Sequence, residues 1–465
     1  MRRWLAWDWT SPLRIAGATL GTSLALAVVF GLASRPASGH LDWGFKTTLA
    51  WLAWVWESIF GVNAVGSLQA NGSLGFLGFS IDGSASGSGS LAAMPLTLTV
   101  ATLLVAAIAF RRATASSPSA VAALLLGVRA ALLSAIPLVL VSLVISLGAN
   151  DLTGLLGASS GDGSAVGDTL QQWQALNGQK SLSISLSSTD AFFVTIALLT
   201  TLFASLTLMH AEWFTGRIWS TVHLCLAAPV RAFGRLGIGV VASGLLFELV
   251  IWLVRWNTSW PSGEHRPALS AHQWVNGFAS AIAYAGNAGA MALGLGSLGS
   301  VGYSASGSVS APMLSESRSP HQDHWIGWFA QTDHLASGVW IALALAPLVL
   351  IYVARSVARV HGSDDRSVLT SLGTWLISLV VAIPALAALA NLSVSGSGSA
   401  DTTFVSGTFA GHGAGSLTLG MSTLVCTFTV FVYALIISGV VALRLRTTPS
   451  ERSSAADTDL QSLPR

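Results

Sequence analysis

Residues 72–84 read GSLGFLGFSIDGS, and residues 296–308 read GSLGSVGYSASGS. Aligned at an offset of 224, Gly72, Ser73, Leu74, Gly75, Gly78, Ser80, Gly83 and Ser84 meet Gly296, Ser297, Leu298, Gly299, Gly302, Ser304, Gly307 and Ser308. Apolar residues alternating with Gly and Ser carry the period of two that belongs to a strand with one buried face. Around both phrases, however, the chain is a series of apolar runs of membrane length. The combination predicts an all-α transmembrane bundle that carries a small β-rich layer, built from two copies of one unit.

Composition agrees with a membrane location. Of 465 residues, 52% are hydrophobic and 9% charged, against about 25% charged in an average soluble domain. That leaves too little charge to cover a water-facing surface. A formal net charge of +2 argues against a nucleic-acid binder, which concentrates basic residues on one face. The two cysteines, Cys225 and Cys426, form no disulfide framework, because the topology below separates them.

A helix needs about 20 mostly apolar residues to cross the hydrocarbon core. Eight runs qualify: 15–34, 91–110, 130–149, 191–213, 236–254, 337–354, 368–390 and 422–443. The 14-residue run 49–62, LAWLAWVWESIFGV, carries Glu57 and three Trp and reads as a helix lying at the outer interface. With the N-terminus inside, 16 of the 22 basic residues fall in cytoplasmic stretches, which places both termini in the cytoplasm. Counting 49–62 as a span would export Arg111 and Arg112. Run 15–34 exceeds the apolar core of a signal peptide, about 7–15 residues, and is expected to be retained.

The duplication divides the chain at 225. Residues 1–225 hold spans one to four, 226–446 hold spans five to eight, and 447–465 form a polar tail of disordered composition. An even number of spans per copy gives both copies the same orientation. The external segments 35–90, 150–190, 255–336 and 391–421 are rich in Gly and Ser, with alternation as in Leu182, Ile184 and Leu186. Open strand edges cannot face lipid, so these strands are expected to pair in a small extracytoplasmic layer.

Candidate functional residues are few. Glu248, in LLFELVIW, is the one acidic residue well inside a span, and its position predicts a site near the bilayer midplane. It serves either an ion or proton path or a neutral hydrogen bond. Pro137, Pro347 and Pro384 fall inside spans and each removes a backbone hydrogen bond; ordinary helix kinks are the simpler reading. The motif GATLG, Gly17 to Gly21, suits close helix packing. The segment HQDHWIGWFAQTDH, 321–334, gathers His321, Asp323, His324, Asp333 and His334. Imidazole and carboxylate bind divalent metals, but this spacing matches no established site, and a solvated insertion is favoured. No phosphate loop, His-Glu-x-x-His, Gly-x-Ser-x-Gly or paired intramembrane Asp occurs. The residues therefore point to no enzyme and no cofactor.

The phrase LGFLGFSIDGSASGSGS running into AAMPLTLTVATLLVAAIAFRR, 74–112, resembles the streptophobe family of very hydrophobic bacterial membrane proteins. The resemblance implies a bacterial cytoplasmic (inner) membrane, and no catalytic residue comes with it. Two functions follow as expectations. One is a non-enzymatic envelope or accessory protein presenting the β-rich layer to a partner. The alternative is a transporter or channel with a path between the two repeats involving Glu248. The lipid bilayer is the partner common to both.

Overall fold

The computed structural model describes residues 9–34, 44–76, 79–115, 119–148, 178–209, 217–258, 271–310, 321–326, 336–358, 365–404 and 407–446. In chain order they form α1 (Thr10–Ala33), α2 (Phe45–Ser58), β1 (Ala64–Phe76), β2 (Phe79–Ala92), α3 (Leu96–Thr114), α4 (Ala120–Val144), β3 (Ser146–Gly148), β4 (Gly178–Leu186) and α5 (Ser188–Leu208). There follow α6 (Arg217–Thr258), α7 (Ala271–Gly296), β5 (Val301–Ser310), β6 (His321–Ile326), α8 (Ala336–Ala358), α9 (Asp365–Ala390), β7 (Leu392–Phe404), β8 (Gly407–Met421) and α10 (Thr423–Arg446). The order αα-ββ-αα-ββ-α thus occurs twice.

Among the described residues, nine helices are long and apolar enough to cross a membrane, and α2 is not one of them. The sequence reading found eight. The ninth, Trp274–Gly296, lies in the segment assigned to an external loop. It is the least hydropathic of the nine, because Gly and Ala supply its apolar character in place of Leu and Val. Helix α7 starts beside the end of α6 and leads into β5, so it enters and leaves the bundle on the sheet side. The remaining spans are recovered with shifted ends. The division at 225 falls inside α6, a continuous helix of 42 residues.

All eight strands attach to one end of the bundle and form a single sheet in the order β3-β4-β1-β2-β7-β8-β5-β6. Each half contributes four neighbouring strands, and β2 and β7 join the halves antiparallel, with Ser90 opposite Ser395. The strand-to-helix junctions match between halves: Ser187 N–H donates to Asn63 O and Ser422 N–H to Ser300 O, each at 3.0 Å. That correspondence differs from the offset of 224. Gly72 and Gly75 lie in β1 and Gly83 in β2, whereas Gly296 ends α7, Gly299 is in the turn after it, and Gly302 and Gly307 are in β5. Gly78 lies outside the described residues. Gly and Ser recur on every strand, so a Gly/Ser phrase aligns readily out of structural register.

Three apolar clusters hold the bundle. Ile15, Phe110, Leu199 and Phe203 pack in the first half, with the rings of Phe110 and Phe203 stacked at 4.7 Å. Leu350, Trp375, Leu379, Ile383 and Cys426 pack in the second, joined by Met94 and Leu96 from the first. A third cluster, including Ala27, Ile59, Phe60, Leu98 and Leu138, lies under the sheet. Helix α2 folds back on α1, with Trp51 Nε1 donating to Gly31 O and Trp56 Nε1 to Ser23 Oγ, both at 2.8 Å. As expected, it is not among the helices long and apolar enough to span, and it packs on α1. Gly17 and Gly21 have open space around them, so the expected close packing at GATLG does not occur there. Pro137, Pro347 and Pro384 are each accommodated inside one continuous helix.

The close approach is between α6 and α7. A Cβ on Gly244 would overlap the carbonyl of Ala285, and one on Gly289 would overlap that of Val240. Gly244→Ala or Gly289→Ala should therefore destabilise the protein by more than about 2 kcal/mol, as backbone overpacking does. Gly234→Ala, with nothing nearby, should be neutral or raise stability by up to about 1 kcal/mol. Thermal unfolding in detergent micelles separates the two outcomes.

Candidate functional site: the serine-lined hollow and its base

The sheet bends around a hollow of about 540 Å³. Its walls come from Val65 on β1, Ser88 and Ser90 on β2, Ser395 and Ser397 on β7, Ser416 on β8 and Ser306 on β5. Val65 and Ser306 are four strand spacings apart, about 19 Å on a flat sheet, so a shared hollow requires strong curvature. Alternation puts serines on this concave face and glycines on the convex one. Gly66, Gly89, Gly396, Gly415 and Gly307 are paired across five strands. Opposed serines bond across the ladder: Ser90 to Ser395, Ser86 to Ser399, Ser67 to Ser183 and Ser306 to Ser416 at 2.8 Å, and Ser88 to Ser397 at 3.2 Å. Each such pair uses one hydroxyl proton and leaves the other free. The residues lining the hollow are uncharged, and at its margins His321 of β6 and His412 of β8 stand in register beside Ser306 and Ser399.

Below the hollow, Asn287 of α7 binds both halves. Its Oδ1 accepts from Leu96 N–H at 3.0 Å, and its Nδ2 donates to Met94 O at 2.9 Å and Ala390 O at 3.0 Å. The Leu96 amide is one of the unpaired donors at the start of α3, and the Ala390 carbonyl one of the unpaired acceptors at the end of α9. One buried amide thereby caps a helix from each half. Beside it, Gly286 N–H donates to Thr97 Oγ1 at 2.8 Å. At the offset of 224, Asn287 falls opposite Asn63. Asn63 instead donates to Asp190 Oδ2 at 2.9 Å, at the start of α5.

Glu248 lies one turn beyond Gly244, on the stripe of α6 that meets α7. Asn287, close to the Gly244 contact, marks the level at which α3 begins. Glu248 therefore sits at the sheet end of the bundle, about 6 Å past that level, and not midway along the helices as expected. Twelve residues counted from Leu236 misplaced it, because α6 begins far earlier. It is partly buried.

Among the described residues the fully buried carboxyl group is that of Glu57, near the end of α2. Neither of its oxygens has a hydrogen-bond partner among the described residues. Burial pushes its carboxyl up to about 8, as expected when water is removed without a compensating partner. The only sequence signal was a single Glu in a Trp-rich run. His321, Asp323 and His324 occupy β6 opposite Ser306, Ser304 and Tyr303; Asp333 and His334 lie outside the described residues. No cluster of three metal-ligating side chains occurs among the described residues.

Nine apolar helices make this chain a polytopic membrane protein. No protein-family model, curated protein or solved structure matches it.

The two buried groups give separable expectations. Asn287→Ala strands one amide and two carbonyls and should cost about 2–5 kcal/mol, measured by unfolding in detergent. Glu57 is protonated in the folded protein up to about pH 8 but ionises near 4.5 when unfolded. The folded state therefore binds the extra proton between these values, and stability falls as pH rises through that window. Glu57→Gln should remove this fall and stabilise the protein at pH 8 by on the order of 3 kcal/mol. A melting temperature of the parent protein unchanged from pH 5 to 8 would contradict it.

Proposed function

We propose that this is a non-enzymatic envelope or accessory protein of a bacterial cytoplasmic membrane, whose helical bundle anchors and displays the curved sheet on the extracytoplasmic side. Both termini lie in the cytoplasm, and the chain arose by duplication of one αα-ββ-αα-ββ-α unit. The observation that carries the reading is the attachment of every strand to one end of the bundle, with both halves merged into one sheet. Arg111, Arg112 and Arg355 lie in the last turns of α3 and α8, at the other end, which supports the orientation by the excess of positive charge inside. The serine pairs that bond across the junction of the two halves support a continuous contact surface. The resemblance to the streptophobe family agrees with this placement.

A second reading, a transporter or channel between the repeats, draws on the hollow, whose walls come from both halves.

Replacing residues 70–85 and 399–412 by short turns would truncate both central hairpins while keeping the bundle. The shortened protein should reach the membrane yet fail to restore the phenotype of a deletion strain. Full restoration would remove the display function. For the second reading, solute flux into proteoliposomes should fall in Glu248→Gln; flux equal to that of the parent protein would take Glu248 out of the path.

A further inference from the structure

The two faces of the sheet are inverted relative to a soluble sheet. A water-soluble curved sheet buries its apolar face and exposes its polar one; here the serines line the hollow and the apolar residues point outward. On the convex face nearest the bundle, Val394, Leu417, Leu419 and Ile184 are 47%, 46%, 43% and 39% exposed. Polar inside and apolar outside is the arrangement of a barrel wall in lipid.

Helix lengths place hydrocarbon at the same level. On the flank formed by α1, α3 and α6, Leu96 to the exposed Arg111 is 15 residues, about 22 Å. From Ala27, which shares a buried cluster with Leu98, back to the exposed Arg14 is about 20 Å. The hydrocarbon core is about 30 Å thick, so on this flank it continues past the helix-sheet junction by about 8–10 Å. Three helices extend beyond that junction there, and they present exposed apolar side chains: Val29 and Leu32 on α1, Leu249 and Leu253 on α6, Val275 and Phe278 on α7. At about 3.3 Å per residue, Val394 and Leu419 lie within about 10 Å of the strand bases at Asn391 and Met421, and Leu417 stands opposite Val394 at the same level. Strand β8 also leads through Ser422 into α10, whose Leu424 and Phe428 are strongly exposed, so the apolar surface is continuous from helix to strand.

Strand edges cannot face lipid, because their backbone groups would go unpaired. The residues in question avoid this: β4, β7 and β8 each have a strand on both sides, so their backbone groups are held in ladders.

We propose that the lower rows of the sheet are immersed in the outer leaflet, with Ile184, Val394, Leu417 and Leu419 against lipid acyl chains. The serine-lined hollow is then a water-filled cup that reaches below the membrane surface.

The test uses the full chain with Cys225→Ser and Cys426→Ser, reconstituted in phosphatidylcholine vesicles. Nitroxide labels are placed singly at Val394→Cys and Leu417→Cys on the convex face and at Ser395→Cys and Ser416→Cys on the concave face. Labels at 394 and 417 should collide readily with oxygen and weakly with a water-soluble nickel chelate, and those at 395 and 416 should do the reverse. A fluorophore at Leu419→Cys should lose emission when the vesicle lipids carry doxyl groups on their acyl chains. Nickel collisions at 394 and 417 equal to those at 395, or emission at 419 indifferent to doxyl lipid, would overturn the proposal. Should a label at 417 prevent folding, Ile184→Cys reads the same band with the same two outcomes.

Discussion

The structure depends on the side-chain amide of Asn287. In a bilayer a helix end cannot leave its backbone groups to water, and each unpaired group costs several kcal/mol. Where α3 begins and α9 ends, helix ends from the two halves meet at one depth under the sheet, and Asn287 supplies both a donor and an acceptor there. Its helix reaches that depth only because Gly244 and Gly289 let α6 and α7 pack backbone to backbone. A side chain at either glycine would lift the amide away from its partners.

The same constraint accounts for the sheet. Four times the chain passes from helix to strand and back on the same side of the bundle, and the exposed ladders of each pair would be unpaired alone. Merging eight strands, with β2 beside β7, leaves two edges for the entire layer. The serine rows suit this union. A small hydroxyl can bond its opposite number across the strand junction, as Ser90 does with Ser395 and Ser86 with Ser399, while glycines on the other face impose no bulk on the bend. Among the described buried side chains without a partner, which include Thr102, Thr195, Trp375 and Ser438, Glu57 is the one that can carry a charge. A carboxyl in such surroundings is kept neutral.

The membrane class was legible because hydropathy over 20 residues is a local property. Eight of the nine apolar helices follow from it, and so does the strand character of the Gly/Ser segments, since alternation needs no knowledge of the partner strand. Helix α7 escaped because its small residues serve contact with α6, a tertiary reason that a hydropathy sum does not register. Glu248 drew attention as an acid in an apolar run, yet its depth depends on where α6 starts and what Gly244 touches. Glu57 looked like the polar residue of a surface helix until α2 was folded onto α1.

Residue order alone determined that this chain enters lipid, roughly where its helices lie, and that period-two segments alternate with them, because each of these is set by neighbours along the chain. Which strands pair, which face of them is hollow, and which amide joins the halves were decided by the tertiary structure. Serine and glycine carry almost no preference of their own for inside or outside, so only the curvature of the assembled sheet assigns them a side.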